Sequence, residues 1–201
     1  MIIFDSNETK FEGNGLGTIP EATDAQAVEE LNGGDEISFK IPITAKHFQD
    51  LKLMRYILCT PSYGRNPQAY RIYKISKPIN GICTVNGEHI SYRLNKIPLM
   101  PFSASNASDA MAGSETHSFE SPFHFHTELG TQATYKQTSP STVRKQLGGV
   151  EGSILDVYGG QYEWDMFDVY LRKRRGTDKG ITIEYGKNLT DLTQEESIEA
   201  T

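Results

Sequence analysis

The stretch Gln68-Ala-Tyr-Arg-Ile-Tyr-Lys-Ile-Ser-Lys-Pro-Ile-Asn-Gly-Ile-Cys-Thr-Val-Asn-Gly-Glu-His89 decides the fold class. Two runs rich in β-branched and aromatic residues, Gln68 to Lys77 and Ile82 to Leu94, flank Pro78-Ile-Asn-Gly81. Asn80-Gly81 supplies the positive φ that a two-residue turn needs, which makes it the strongest short-range hairpin signal in the chain. The centre of the first half is therefore a pair of antiparallel strands.

Upstream the same grammar repeats. Met1 to Phe4 is a β-branched start, and Gly13 to Gly17 is a loop. Ala22 to Asn32 and Glu36 to Ile41 flank Asn32-Gly-Gly-Asp35, another hairpin turn, and Pro42 ends the ladder because it has no N–H to donate. Ala45, Phe48 and Leu51 recur at three-residue steps, which predicts a short helix over Thr44 to Leu53 capped by Thr44. Arg55 to Thr60 is the next strand. Six or so strands in the first 97 residues predict a small barrel or sandwich.

Downstream, the character changes at Pro98-Leu-Met-Pro101. Ser103 to Gly113 is small and helix-permissive, and Ser121 to Thr127 reads as a strand. Ser139-Pro-Ser-Thr-Val-Arg-Lys-Gln-Leu-Gly-Gly149 opens and closes like a helix, with Ser139 as cap and Gly148 able to take the left-handed conformation. A second helix is predicted over Glu151 to Tyr158. A hairpin follows, from Gln161 to Trp164, through Asp165-Met166, and back over Phe167 to Lys173. Ile181 to Tyr185 reads as a strand. The fold class is mostly β, α+β overall, and the acidic run at 192–201 looks cut off in mid-element.

Composition excludes several functions. With 201 residues the chain can bury roughly 70% of its extended surface, and 37% hydrophobic residues with 18 Gly and 9 Pro fit a turn-rich globular protein. A net charge of -6 argues against a nucleic-acid binder. The one basic cluster, Arg172-Lys-Arg-Arg175, reads as a strand end with salt-bridge partners. Cys59 and Cys83 sit in apolar runs and read as small buried hydrophobes, with a single disulfide between neighbouring strands as the alternative. No membrane span and no export signal is evident, which predicts synthesis in the cytoplasm.

The search for chemistry yields little. Phe123-His-Phe-His126 puts His124 and His126 on one face of a strand, where two imidazoles could begin a metal site. The nearest candidate partners, His117, Glu120 and Glu128, have no recognised metal spacing. His47 and His89 read as structural. No nucleophile elbow, zinc-peptidase helix or phosphate loop is present, and the adjacent pairs Glu29-Glu30, Asp35-Glu36 and Glu195-Glu196 point to opposite strand faces. The expectation is no catalytic residue, no metal and no cofactor. Tyr158, Tyr162 and Trp164 offer a competing reading as exposed aromatics of a carbohydrate-binding receptor module, or as the core side of a hairpin. A cell-wall hydrolase or peptidase is the other alternative.

The order of particular segments adds a resemblance. Asn14 to Pro20, Glu29 to Gly33, Tyr70 to Tyr73 with Lys77 to Gly81, His89 to Tyr92, Leu147 to Gly160, Tyr162 to Asp165 and Tyr185 to Leu192 together resemble the N-terminal region of the prophage tail endopeptidase, or phage minor structural protein, family. The resemblance implies a baseplate-hub-like β-barrel tube domain, 1–97 plus about 178–201, interrupted by an inserted α+β domain, 98–177. It implies a virion tail-tip protein that is not itself an enzyme, its wall-degrading or peptidase activity lying in regions beyond this chain. Its partners would be copies of itself in a homotrimeric ring, the distal tail protein and other tail-tip proteins, with phage DNA passing unbound. Acidic residues such as Glu29, Glu30 and those of the terminal run would then face the ring lumen. Asn86-Gly87 departs from the continuous strand the family implies, and predicts a bulge or a second hairpin before His89.

Overall fold

Asn80 and Gly81 do reverse the chain, at φ 54° and 75°. They join β6 (Gln68–Ile75) to β7 (Ile82–His89) as an antiparallel pair. The computed structural model describes residues 1–176 except 77 and 79, together with 180, 182, 184 and 187. Asn86-Gly87 leaves β7 unbroken, and the irregularity falls on the facing strand. Ile72 pairs with Gly87 and Lys74 with Asn86, so Tyr73 is the extra, bulged residue. At Gly87 a Cβ would stand 3.1 Å from both Ile37 Cγ1 and Tyr70 Cβ, so the packing there is tight around the missing side chain. β7 stops at His89 instead of running to Leu94. There the His89 side chain accepts from the Ser91 N–H and starts a 3-10 helix, Ile90–Asn95.

Around this hairpin lie β1 (Ile2–Phe4), β2 (Gly17–Thr18), β3 (Thr23–Glu29), β4 (Asp35–Pro42) and β5 (Tyr56–Cys59). The strand order is β2-β1-β5-β6-β7-β4-β3, every neighbour antiparallel, and the sheet curls into a half-barrel. Period-two alternation sends Ile37, Phe39 and Ile41 of β4 inward to meet Ile57, Ile72 and Val85. Each such burial is worth about 1.5–3 kcal/mol. β3, at the sheet edge, is exposed over almost its whole length.

The predicted helix over 44–53 shrinks to a single 3-10 turn, Phe48–Asp50, without a side-chain cap. Successive three-residue turns (Ala45 N–H to Pro42 O, Phe48 N–H to Ala45 O) replace the helical ladder. They bring Ala45 and Leu51 into the sheet's core, and burial outweighs a weak local preference. Both cysteines are free thiols: Cys83 is buried, and burial raises the Cys59 thiol to about 11.

Gly15 turns the chain back beneath β1 at φ 53°, where a Cβ would lie 2.2 Å from the Ile3 carbonyl oxygen. Gly15→Ala is therefore expected to lower stability by about 2 kcal/mol, from overpacking against backbone and a strained φ. Thermal unfolding, with the melting point falling by roughly 4–8 °C, would check it.

A second core begins at Leu94, on the 3-10 helix. Its elements are β8 (Pro98–Leu99), β9 (Ser103–Asn106), α1 (Ala107–Thr116), β10 (His124–Thr127), β11 (Gln132–Lys136), β12 (Ser141–Thr142), α2 (Val143–Leu147), α3 (Ile154–Tyr158), β13 (Gln161–Asp165) and β14 (Asp168–Arg172). Three small sheets, β10-β14-β13, β11-β9 and β12-β8, surround Leu99, Met111, Phe123, Tyr135, Leu147 and Trp164. β10 and β14 run parallel. Asn106 caps α1 by accepting from the Asp109 N–H.

The helix predicted from Ser139 starts only at Val143, because Ser141 and Thr142 pair with Leu99 and Pro98. Ser139 contributes its carbonyl to Gln137 and caps nothing. Gly148 is extended at φ -172°, and the left-handed turn falls on Gly149 at φ 94°. α3 begins at Ile154 with Ser153 as its cap, three residues after the predicted start. The last hairpin turns at 166–167, one residue later than predicted, and the strand predicted from Ser121 begins at His124. The strand predicted over 181–185 and the return to the tube domain over about 178–201 lie outside the described residues, save for 180, 182, 184 and 187. No described helix is long and apolar enough to cross a membrane.

Candidate functional site

His124 and His126 do share a face of β10, but each is committed to its own carboxylate. His124 Nδ1 lies 3.1 Å from Glu115 Oε1, and His126 Nε2 lies 2.7 Å from Asp168 Oδ1. The His126 ring also stacks on Tyr170. His117 stacks on Phe102, and Glu128 accepts from the Lys173 N–H. Among the described residues no group of three or more His, Cys, Asp or Glu is arranged to hold a metal ion.

The aromatic reading is corrected: Tyr158, Tyr162 and Trp164 are all buried, at 6%, 2% and 2% exposure. The Tyr162 hydroxyl donates to Leu147 O and the Tyr158 hydroxyl to Ala133 O. Tyr162 and Trp164 alternate on the core side of β13 and Tyr158 ends α3 against the same core, which leaves no platform of these three for a sugar. Both ends of the basic cluster pair with carboxylates, Arg172 with Glu163 and Arg175 with Glu29, while Lys173 and Arg174 are exposed. Glu29 sits between Arg175 and Arg65, so its charge is compensated within the chain, whereas Glu30 is exposed.

What the fold does assemble is a polar joint between the half-barrel and the second core. Gln68, at the head of β6, faces the β13–β14 turn. Its Nε2 donates to Asp165 Oδ1 at 2.6 Å, and its Oε1 accepts from the Met166 N–H at 2.7 Å. Asn66 donates to Asp165 Oδ2 at 2.9 Å, and Arg65 to the Trp164 carbonyl at 2.7 Å. From the β3–β4 turn, Asn32 accepts from the Tyr162 N–H and donates to Gly160 O, while Arg144 of α2 reaches back to Gly33 O at 2.6 Å. The Arg144 guanidinium lies 4.2 Å above the Trp164 ring. Phe167 closes the apolar side, packed between Phe11 and Phe123.

Two ionisable groups are buried within it. His89 has no exposed surface. Its Nδ1 accepts from the Ser91 N–H, so Nε2 carries the proton and donates to Gln68 Oε1 at 3.0 Å. Burial, with Arg65 and Arg144 nearby, pushes it down to about 3. The Asp35 carboxylate accepts from the Tyr70 hydroxyl at 2.9 Å and faces Arg65 at 3.6 Å. Burial raises its pKa, opposed by Tyr70 and Arg65. Nothing here is poised as a nucleophile with a base beside it. The arrangement ties the half-barrel to the second core through hydrogen bonds.

The sequence reading missed this joint, apart from placing His89 as structural. Its one local signal is the pair Gln68 and His89, polar residues on the inward-facing side of two strands that otherwise bury apolar groups there.

No protein-family profile matches the chain, and no curated protein matches it. Among solved structures it is similar to prophage tail protein gp18 from Listeria monocytogenes EGD-e, with a TM-score of 0.58 at 15% identity. The match covers 84% of this chain and 52% of that one, so the chain spans about half the length of that protein. At this identity the likeness is one of fold.

Proposed function

We propose that the chain is a structural protein of a phage tail, placed at the tail tip as part of a baseplate hub. The observation that carries this is the fold shared with a prophage tail protein over 84% of the chain. In this reading the half-barrel, 1–97 with about 178–201, is the tube domain and 98–177 the insertion. The role is non-enzymatic: a ring that caps the tail tube, contacts the distal tail protein and anchors a downstream wall-degrading or receptor-binding region. Two main apolar cores support the division, although Leu94 and Ile97 belong to the second and a third cluster joins Phe11 and Tyr56 to Met166 and Phe167; the bonded histidines and carboxylates suit a structural role.

The exposed edge strand β3 supports self-association. Gln26, Ala27 and Val28 carry no charge and Val28 is 59% exposed, an edge that soluble monomers commonly protect. Decorating phage particles with an antibody to this chain should label the tail tip, and label elsewhere on the virion would sink the placement. Sedimentation should give a trimer that Val28→Lys weakens about tenfold or more, roughly 1.4 kcal/mol, without changing the monomer's circular dichroism. A monomer at every concentration would overturn the ring for this chain.

A further inference from the structure

We propose that the joint is an acid-released catch: when His89 takes up a proton, the contacts between 65–68 and the β13–β14 turn let go together while both apolar cores stay folded.

The hydrogen bonds impose a direction. Ser91 N–H donates to His89 Nδ1, His89 Nε2 donates to Gln68 Oε1, and that same oxygen holds the Met166 N–H across the joint. A second proton on the imidazole must go to Nδ1, where a backbone donor already points. The Ser91 hydroxyl, 3.0 Å away, is the group there that can turn to accept it. Accepting that proton therefore displaces the Ser91 N–H at the start of the 3-10 helix, and it places a positive charge beside Arg65 and Arg144, the two arginines that themselves reach across the joint to Trp164 O and Gly33 O.

Tyr70 lies against the His89 ring, Arg65 and Arg144 act on its charge, and the other titratable and charged groups of the joint come from every element packed around it. Asp35 from β4, Glu29 from β3, Tyr70 from β6, Arg65 from the preceding loop and Tyr92 from the 3-10 helix lie on the half-barrel side. Arg144, Tyr162, Asp165 and Arg175 lie on the other. Arg65 and Arg144 repel an imidazolium, so the closed joint keeps the proton out. Released, His89 meets water and titrates as an ordinary imidazole, near 6.5.

The sign follows from linkage. The closed state binds fewer protons than the open one between about pH 6.5 and about pH 3, so acid favours opening, about tenfold per pH unit for one proton. Asp35 works the other way: its raised pKa makes the closed state the better proton acceptor over its own range. Replacing His89 separates the two contributions.

Trp164 is the chain's single tryptophan and sits in the joint under Arg144, so its emission reports the joint while far-UV circular dichroism reports both cores. On titrating the full chain from about pH 7.5 to about 3.5, Trp164 emission should move to the red at a higher pH than the loss of ellipticity. His89→Gln, which can still donate to Gln68, should shift the emission change down by at least about one pH unit. Emission and ellipticity changing together in the wild-type chain would overturn the catch, and so would a folded His89→Gln variant with an unmoved midpoint. Should that variant fail to fold at neutral pH, the wild-type comparison decides alone.

Discussion

Arg65→Met is expected to destabilise the chain by about 3 kcal/mol, near the lower end of the 3–5 kcal/mol range for removing one partner of a buried ion pair. Arg65 stands between three acceptors: Glu29 Oε2 at 2.7 Å, the Trp164 carbonyl at 2.7 Å and Asp35 Oδ2 at 3.6 Å. Glu29 retains Arg175, so its loss is small. Asp35 is worse placed, because its side chain is 2% exposed and Oδ2 has no hydrogen-bond donor of its own. Without Arg65 that carboxylate keeps only the Tyr70 hydroxyl. The residual exposure of Arg65, 18%, places the effect at the low end.

Asp35→Asn in the Arg65→Met background should then recover about 1–2 kcal/mol, since an amide accepts from Tyr70 and carries no charge to strand. Urea unfolding at neutral pH of the wild-type chain, both single variants and the double variant would close the cycle. Additive losses from the two substitutions would show that Arg65 acts on Trp164 and Glu29 alone.

Trp164→Ala should have a comparable or larger effect, about 3–5 kcal/mol, with a fall in melting point of roughly 6–20 °C. The ring stacks on Tyr162 at 5.3 Å in the second core and receives Arg144 on its face. Truncation leaves a cavity and also strips the cover from a guanidinium that is already short of a hydrogen-bond acceptor at Nη1. The cation–π contact alone is worth about 0.5–2 kcal/mol. Trp164→Phe keeps a ring beneath Arg144 and should lose less than half as much; equal losses from the two variants would remove Arg144 from the account.

The hairpins were legible because their information is local. Asn80-Gly81, Asn32-Gly33 and the alternation of Tyr162, Trp164, Val169 and Leu171 each lie within one turn and its strands. The mostly β, α+β class follows from them. Helix starts were misplaced where a distant strand intervened. Ser141 and Thr142 look like a helical first turn until β8, more than forty residues upstream, takes their backbone groups. The joint was illegible for the same reason, carried further: Gln68 meets Asp165 across 97 positions and Asn32 meets Tyr162 across 130. Residue type gives no hint of such a partner. His124 and His126 were placed correctly on one face, but no spacing rule reveals that Glu115 and Asp168 would satisfy them.

The strand order of the curled sheet also sets a timetable for folding. β4 waits for β7, some forty residues further along, and β1 waits for β5, while β6 and β7 need only their own turn. The hairpin at Asn80-Gly81 is thus the natural nucleus, with the β3–β4 hairpin docking afterwards. The parallel β10–β14 pair then closes a loop of about forty residues in the second core. Non-local pairing of this kind slows folding to roughly milliseconds to seconds. During that interval the β3–β4 hairpin has uncharged Gln26, Ala27 and Val28 along one edge and β4 still unpaired along the other, and a nascent chain would be at its most vulnerable to aggregation.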